Sequence, residues 1–190
     1  MTQQEFQNRY RYNPTTDELG KGGFGKVYKA YDRLEDRWVA IKIASVEKDR
    51  ENISLKNEVK TAQKLAEHTN IARYENCYRF DFSVGTYDHA VIQYYEMGNL
   101  SQLIQKQQLS LAEKEEIARG VIAGIAHLHQ YNIVHRDIKS SNVLIAQRPD
   151  GTYNPKIADF GLSKEFNDSA NPTSRIASQA VVCYTSHPNN

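Results

Sequence analysis

The chain has little cysteine, little proline, one tryptophan and no long hydrophobic run: two Cys, five Pro and a single Trp occur in 190 residues. Cys77 and Cys183 lie far apart and lack metal-type spacing, which argues against a disulfide framework and for a reducing, cytoplasmic compartment. No apolar stretch approaches the roughly 18 residues that a bilayer-spanning helix needs. The start, MTQQEFQNRYRYN, has no apolar core of the kind a secretory leader carries. Excess charge of one sign is missing too. With 24 Lys+Arg against 23 Asp+Glu, the net charge of +1 gives no electrostatic case for nucleic acid or for an anionic membrane surface as partner. No internal repeat is visible, and the only biased tract is QKQQ at 105–108.

What is present suffices for a core. Hydrophobic residues make up 39% of the chain, and its length suits one domain or two closely joined lobes. The first part reads as strands: ELGKGGFGKVYKAYD as a strand, a glycine-rich turn and a second strand, then RWVAIKIAS as a third. From Ser54 to Ala66 the period becomes helical, with Leu55, Glu58, Val59, Ala62, Leu65 and Ala66 along one stripe. Strand-like pieces follow at Ala72–Phe82 and His89–Tyr94. After Gly98 the character changes to a short helix at Leu100–Gln105 and a long one at Leu111–His129, carrying Ile117, Val121, Ile125 and Leu128 at helical spacing. Two short strands, Val143–Ala146 and Lys156–Ala158, are joined through a turn at Pro149-Asp150-Gly151. The tail from Ser163 is rich in Ser, Thr, Asn and Pro and reads as loop.

Three groups of residues have spacings that suit chemistry. Gly20, Gly22 and Gly25 form G-x-G-x-x-G between two strands, either a flexible hairpin tip or a place where backbone amides approach phosphate oxygens closely. Their position between strands argues against a dinucleotide-binding turn or a Walker loop, both of which open a helix. Lys42 shares a strand face with Ala40, opposite Val39, Ile41 and Ile43. Glu58 lies on the apolar stripe of the following helix, where a carboxylate needs a cation, and Lys42 is the natural one; Glu51 and Glu67 lie away from the stripe's centre. Finally, His135-Arg136-Asp137, Lys139 and Asn142 are followed seventeen residues later by Asp159-Phe160-Gly161. Asp137 suits acceptance of a hydroxyl proton, Lys139 neutralisation of a phosphoryl group, and Asn142 with Asp159 the hard oxygen ligands of magnesium.

LGKGGFGKV, VAIK, NEV, HRDIKSSN and DFG, in this order, resemble the signature set of eukaryotic-type protein kinases from about Leu19 to Gly161. The resemblance implies an α+β fold, with a strand-rich N-lobe carrying one regulatory helix (1–95) and the first part of a helical C-lobe (96–190). It implies ATP and Mg²⁺ as cofactors. By position, Gly20 to Gly25 would cover the ATP phosphates, and Lys42, held by Glu58, would bind the α- and β-phosphates. Asp137 would be the catalytic base, Lys139 a γ-phosphate contact, and Asn142 and Asp159 the metal ligands. Leu19, Val27 and Ala40 would line the adenine site with Leu144, while Ile92 falls at the gatekeeper position and Gln93 and Tyr95 supply hinge backbone groups.

The D-x-K-x-x-N spacing resembles Ser/Thr kinases, and HRDIKSSNVL with DFGLSK the tyrosine-kinase-like and receptor-like group. Arg136 before the base is similar to kinases switched on by activation-loop phosphorylation, with Thr173, Ser174 and Ser178 as candidate phosphosites. Departures also occur. Val181 stands where the family has Thr, the Glu that closes the activation segment is absent before Asn190, and Ala62 replaces a larger apolar residue. The expectation is a C-terminally truncated kinase domain whose missing helices leave Ile117, Val121 and Ile125 as an exposed face for a partner. The alternatives are an inactive nucleotide- or protein-binding regulator and a non-functional remnant. The protein substrate is not legible.

Overall fold

Alternating side chains from Gly25 to Ser45 produce a hairpin. In the computed structural model, which describes residues 1–22, 25–46, 54–65 and 68–166, strands β3 (Gly25–Asp32) and β4 (Arg37–Ser45) pair antiparallel. Val27 lies opposite Lys42, Lys29 opposite Ala40 and Ala30 opposite Val39. Asp32 shapes the turn by accepting the amides of Leu34 and Glu35 at 3.0 and 3.3 Å. Short β1 (Tyr10–Arg11) and β2 (Glu18–Gly22) pair with β3, while β6 (Gly85–Gln93) pairs with β4 and β5 (Tyr74–Phe82) closes the far edge. Glu51, Ala66, Glu67, the candidate phosphosites and the Val181–Pro188 stretch lie outside the described residues.

The first residues, read from sequence only as lacking a leader, build a helix. Helix α1 (Gln3–Arg9) is closed by a reciprocal cap, Thr2 Oγ1 accepting from Glu5 N and Glu5 returning to Thr2 N at 2.7 Å. Phe6 then enters a ring cluster with Tyr10, Tyr78, Phe80 and His89, at centroid distances from 4.8 to 5.5 Å. Around it lie Ala30, Val39, Ile41 and Val91, the core of one sheet face. Arg9 grips the buried Asp32 with both ends of its fork, Nε to Oδ1 at 2.9 Å and Nη2 to Oδ2 at 2.6 Å. Burial pushes the Asp32 carboxyl up, but the Arg9 guanidinium and two amides outweigh it and hold it below the ordinary carboxylate value.

Helix α2 (Leu55–Lys64) starts at a cap in which Ser54 accepts from Asn57 N. Its buried stripe, Leu55, Glu58, Val59 and Ala62, packs on β5 and β6 as the 3.6-residue period requires. By its internal contacts the chain divides into two compact units: residues 1–66 with 72–95, and 67–71 with the chain from Glu96 onward.

The second unit is built on helices α3 (Leu100–Lys106) and α4 (Leu111–Gln130), each opened by a reciprocal cap, Asn99 with Gln102 and Ser110 with Glu113. Hairpin β8 (Val143–Gln147) and β9 (Tyr153–Ile157) packs its Val143, Ile145 and Tyr153 with Leu103, Leu109 and Ile117. The second strand starts earlier than the sequence pattern suggests. Pro155 is tolerated because its partner Ile145 turns its own N–H away to the Gly98 carbonyl, so the ladder asks for no donor at this pair.

Ile117 is therefore buried rather than part of an open face, and Val121 and Ile125 are half-buried. The exposed large apolar residues of these helices are Ile104, Leu111 and Ile122, of which Ile104 and Ile122 line an apolar groove of about 820 Å³ between α3 and α4. Close packing on the other side of α4 depends on two glycines. A Cβ on Gly124 would stand 2.7 Å from Ile157 Cδ1 and 2.9 Å from the Asn70 carbonyl oxygen, and one on Gly120 2.5 Å from Pro155 Cγ. Among the described residues, no helix is long and apolar enough to cross a membrane.

Phe6→Ala is expected to destabilise the first unit by about 3 kcal/mol in urea unfolding. Leu34→Ala, at a position 74% exposed, should stay within about 0.5 kcal/mol of the parent. An equal response of the two would show that α1 is not part of the core. Gly124→Val should lose about 1–3 kcal/mol through overpacking. A gain, as expected for glycine replacement in an exposed helix, would contradict the close contact at Asn70.

Candidate active site

In the first unit one sheet face carries Val27, Ala40, Lys42, Ala90 and Ile92, aligned across β3, β4 and β6 by the pairs Val27↔Lys42, Lys42↔Ala90 and Ala40↔Ile92. Lys42 is buried, and Glu58 of α2 meets its Nζ with both carboxylate oxygens, at 3.0 and 2.8 Å. Tyr74, on β5, donates its hydroxyl to Glu58 Oε1 at 2.7 Å. Glu58 and Lys42 each need a partner once removed from water, and the tyrosine satisfies a further carboxylate lone pair. Sequence reading did not single out Tyr74. It is sixteen residues from Glu58, and only the packing of α2 on β5 brings the two together.

Of the glycines, Gly20 and Gly22 lie on β2 and Gly25 opens β3, with Gly22 paired to Gly25; the two residues at the tip lie outside the described residues. Around Gly20 and Gly22 an added Cβ would find open space. Gly25 differs, because its φ is 131° and a Cβ would stand 2.1 Å from the Ile43 carbonyl oxygen. That glycine is demanded by the neighbouring strand itself. Leu19 on β2 is 40% exposed.

At the end of β6, Gln93 donates its N–H to the Arg73 carbonyl at 3.0 Å, and Arg73 N–H donates to the Tyr95 hydroxyl at 3.1 Å. The Tyr95 ring is buried, which pushes its phenol above the ordinary value.

The second unit holds the charged loop that follows β7 (Ile133–Val134). His135 is buried, and its ring spans two backbone groups: Asp137 N–H donates to Nδ1 at 3.3 Å, and Nε2 lies 3.0 Å from the Ala158 carbonyl. A ring that accepts at Nδ1 carries its proton on Nε2 and is neutral, in line with burial, which lowers its pKa below the ordinary histidine value. Arg136 adopts φ 65° and donates Nε to the Leu162 carbonyl at 2.6 Å.

Asp137 Oδ2 accepts from Lys139 Nζ at 2.8 Å and from Asn142 Nδ2 at 2.9 Å, and Asn142 Nδ2 also reaches the Asp137 carbonyl at 2.9 Å. The Asn142 amide nitrogen is thus committed inside the loop, and the other end of that side chain is an oxygen donor. A single 3-10 turn, Ser140–Asn142, sets this geometry, and Ala158 N–H donates to the Asn142 carbonyl at 2.9 Å.

That last bond leads directly to Asp159, which adopts a left-handed conformation at φ 66° and ψ 70°. Phe160 is buried edge-on against His135, with ring centroids 5.2 Å apart. β10 (Lys164–Glu165) pairs back onto β7 and closes the loop. The Asn142 amide oxygen and the Asp159 carboxylate are hard oxygen donors, the kind that a divalent cation takes. Leu144 is half-buried on β8, opposite Lys156 and bridged to Asn99.

The second unit also contains an anchor that sequence reading missed. Asn70 donates Nδ2 to Asn154 Oδ1 at 3.0 Å and to the Pro155 carbonyl at 2.9 Å, and its own carbonyl accepts from Ile157 N at 2.9 Å. Polar residues in a short interval between helix and strand look like ordinary loop, and nothing local distinguishes this one.

The protein kinase domain family matches residues 14–186 of the chain. Similar proteins include the G-type lectin S-receptor-like serine/threonine-protein kinase SD1-1 of Arabidopsis thaliana, 36% identical over 168 residues, covering 83% of this chain and 19% of that protein. Cysteine-rich receptor-like protein kinase 29 of the same plant is 32% identical over 176 residues, covering 88% of this chain and 24% of the relative. Serine/threonine-protein kinase pakA of Talaromyces marneffei is 30% identical over 155 residues, covering 82% of this chain and 23% of the relative. The chain spans about a quarter or less of the length of these curated relatives. It belongs to the protein kinase domain family, with that family's α+β fold, and membership implies ATP and a divalent cation as cofactors.

Proposed function

We propose that this chain transfers the γ-phosphoryl group of ATP to Ser or Thr hydroxyls of a protein. The observation that carries this reading is the buried Lys42 ammonium held by both oxygens of Glu58. A buried ion pair adds little to stability, since desolvation cancels most of the attraction. Its value lies in holding a cation on a fixed spot of a sheet face whose other members are small or apolar. Lys42 there binds the α- and β-phosphates, with backbone amides of Gly20 to Gly25 over the phosphate chain. Leu19, Val27 and Ala40 with Leu144 receive the adenine, and Gln93 and Tyr95 offer it backbone groups.

In the second unit Asp137 orients the attacking hydroxyl and takes its proton as oxygen bonds to phosphorus and the bond to the β-phosphate oxygen breaks. Lys139, 2.8 Å from Asp137, neutralises charge on the transferring group. Asn142 and Asp159 would hold magnesium, which when bound would screen the phosphate charges. The choice of Ser/Thr rests on Lys139 two residues after the base and on similar proteins that are Ser/Thr kinases by name. Arg136 and phosphorylation among Thr173, Ser174 and Ser178 would supply regulation through a charge-assisted contact.

Incubation of the protein with labelled ATP, magnesium and a peptide mixture containing Ser, Thr and Tyr should place label on Ser or Thr. Label on Tyr alone would refute the substrate class. Lys42→Ala should lower turnover about 10²–10³-fold and Asp137→Asn about 10²–10⁴-fold. Turnover within a factor of three of the parent in either variant would overturn the role given to that residue. Tight ATP binding with no turnover in the parent would favour a nucleotide-binding regulator instead.

A further inference from the structure

Lys29 lies on the same sheet face as the residues assigned above to adenine, directly opposite Ala40, which in turn lies opposite Ile92. Its ammonium is placed between two rings, 4.2 Å from the Trp38 centroid and 4.7 Å from that of Tyr94. Both distances are inside the range in which a ring quadrupole attracts a cation. The cage is braced from outside: Tyr31 packs edge-on against Trp38 at 5.1 Å, and its hydroxyl bonds Asp36. Trp38 is 47% exposed, so a large aromatic surface is kept at the sheet margin and used there by a cation.

Tyr94 is the residue between Gln93 and Tyr95, in a segment that has left the β-ladder. Its neighbours are tied elsewhere: Gln93 is the last residue of β6 to pair with β4, opposite Val39, and donates its N–H to the Arg73 carbonyl, while Arg73 N–H donates to the Tyr95 hydroxyl. Lys29 supplies the tie through the middle residue, from β3. Three adjacent residues are thus connected to β3, to β4 and to the residue before β5, and their backbone is held in register with Ala40 and Ile92.

We propose that Lys29 is a positioning residue for purine recognition: by bridging Trp38 and Tyr94 it holds the Gln93–Tyr95 backbone in place for the adenine base. The inference rests on the nucleotide-site reading above and extends it to a residue outside the kinase signature motifs. It concerns the base only, since the phosphates are assigned to the glycines and Lys42. Lys29→Met keeps the length of the side chain and removes the cation, whereas Lys29→Arg keeps the cation.

The test measures binding of two probes by calorimetry, adenosine and inorganic tripolyphosphate, to the parent and both variants. Lys29→Met should weaken adenosine about three- to tenfold, as expected for loss of a cation held by two rings, and change tripolyphosphate less than twofold. Lys29→Arg should restore adenosine to within twofold of the parent. Trp38 is the only tryptophan in the chain, so its emission reports on the cage. Adenosine should alter it in the parent and in Lys29→Arg, and less in Lys29→Met. Unchanged adenosine affinity in Lys29→Met would overturn the inference while leaving the nucleotide site intact. Equal loosening of both probes would also overturn it, because that is the mark of a merely structural lysine. A parent that binds neither probe would refute the nucleotide-site reading itself, and this inference with it.

Discussion

A lysine ammonium removed from water must be met by a carboxylate, and in the first unit that requirement links sheet and helix. Lys42 is buried on β4 where Glu58 of α2 reaches it at 2.8 and 3.0 Å, and Glu58 in turn is bonded by both Lys42 and Tyr74. The helix must then sit in one rotational setting on β5 and β6. A turn of about 100° per residue would carry Glu58 away from Lys42. The opposite face of the sheet is secured independently, by Phe6 among aromatic rings and by the Arg9 fork on Asp32. Apolar packing on one side and a paired charge on the other leave the intervening strands little freedom.

In the second unit the controlling device is a set of backbone bonds made by side chains. His135 spans the Asp137 amide and the Ala158 carbonyl, Asn142 folds back on Asp137, and Ala158 donates to the Asn142 carbonyl. Loops that carry function need rigid support, because their backbone groups lack ladder partners. Here the support comes from residues next to the charged ones in sequence. The strand hairpin that ends at Ile157 is seated against α4 at Gly120 and Gly124, which permit an approach closer than any residue with a Cβ would, and is held by the Asn70 hydrogen bonds.

Much of this was legible one residue at a time. Alternation marked β4 to its exact ends, and helical spacing placed Glu58 on the buried stripe together with Leu55, Val59 and Ala62. The loop His135–Asn142 stood out because charged and polar residues crowd there at motif spacing between apolar flanks. Other parts were silent. Helix α1 was not anticipated, since a short polar segment with one phenylalanine has too little periodicity to declare itself. Pro155 concealed the start of β9, and Ile117, expected to be open, is covered by Leu103, Leu109 and Val143. Gly25 looked like a residue chosen for a ligand, yet the close approach of Ile43 already requires it.

The sequence by itself determined the family, the order of the main strands and helices from β2 to β9, and the identity of the charged residues, because these depend on local period and on motif spacing. Beyond the Lys42–Glu58 pair, tertiary structure alone decided the partners of the polar groups: Tyr74 for Glu58, Arg9 for Asp32, Asn154 and Pro155 for Asn70, Trp38 and Tyr94 for Lys29. The reason is physical. Periodicity says that a side chain faces inward, but a hydrogen bond or ring contact is specified to a few tenths of an ångström by elements far apart in the chain. That precision exists only after the strands and helices have packed.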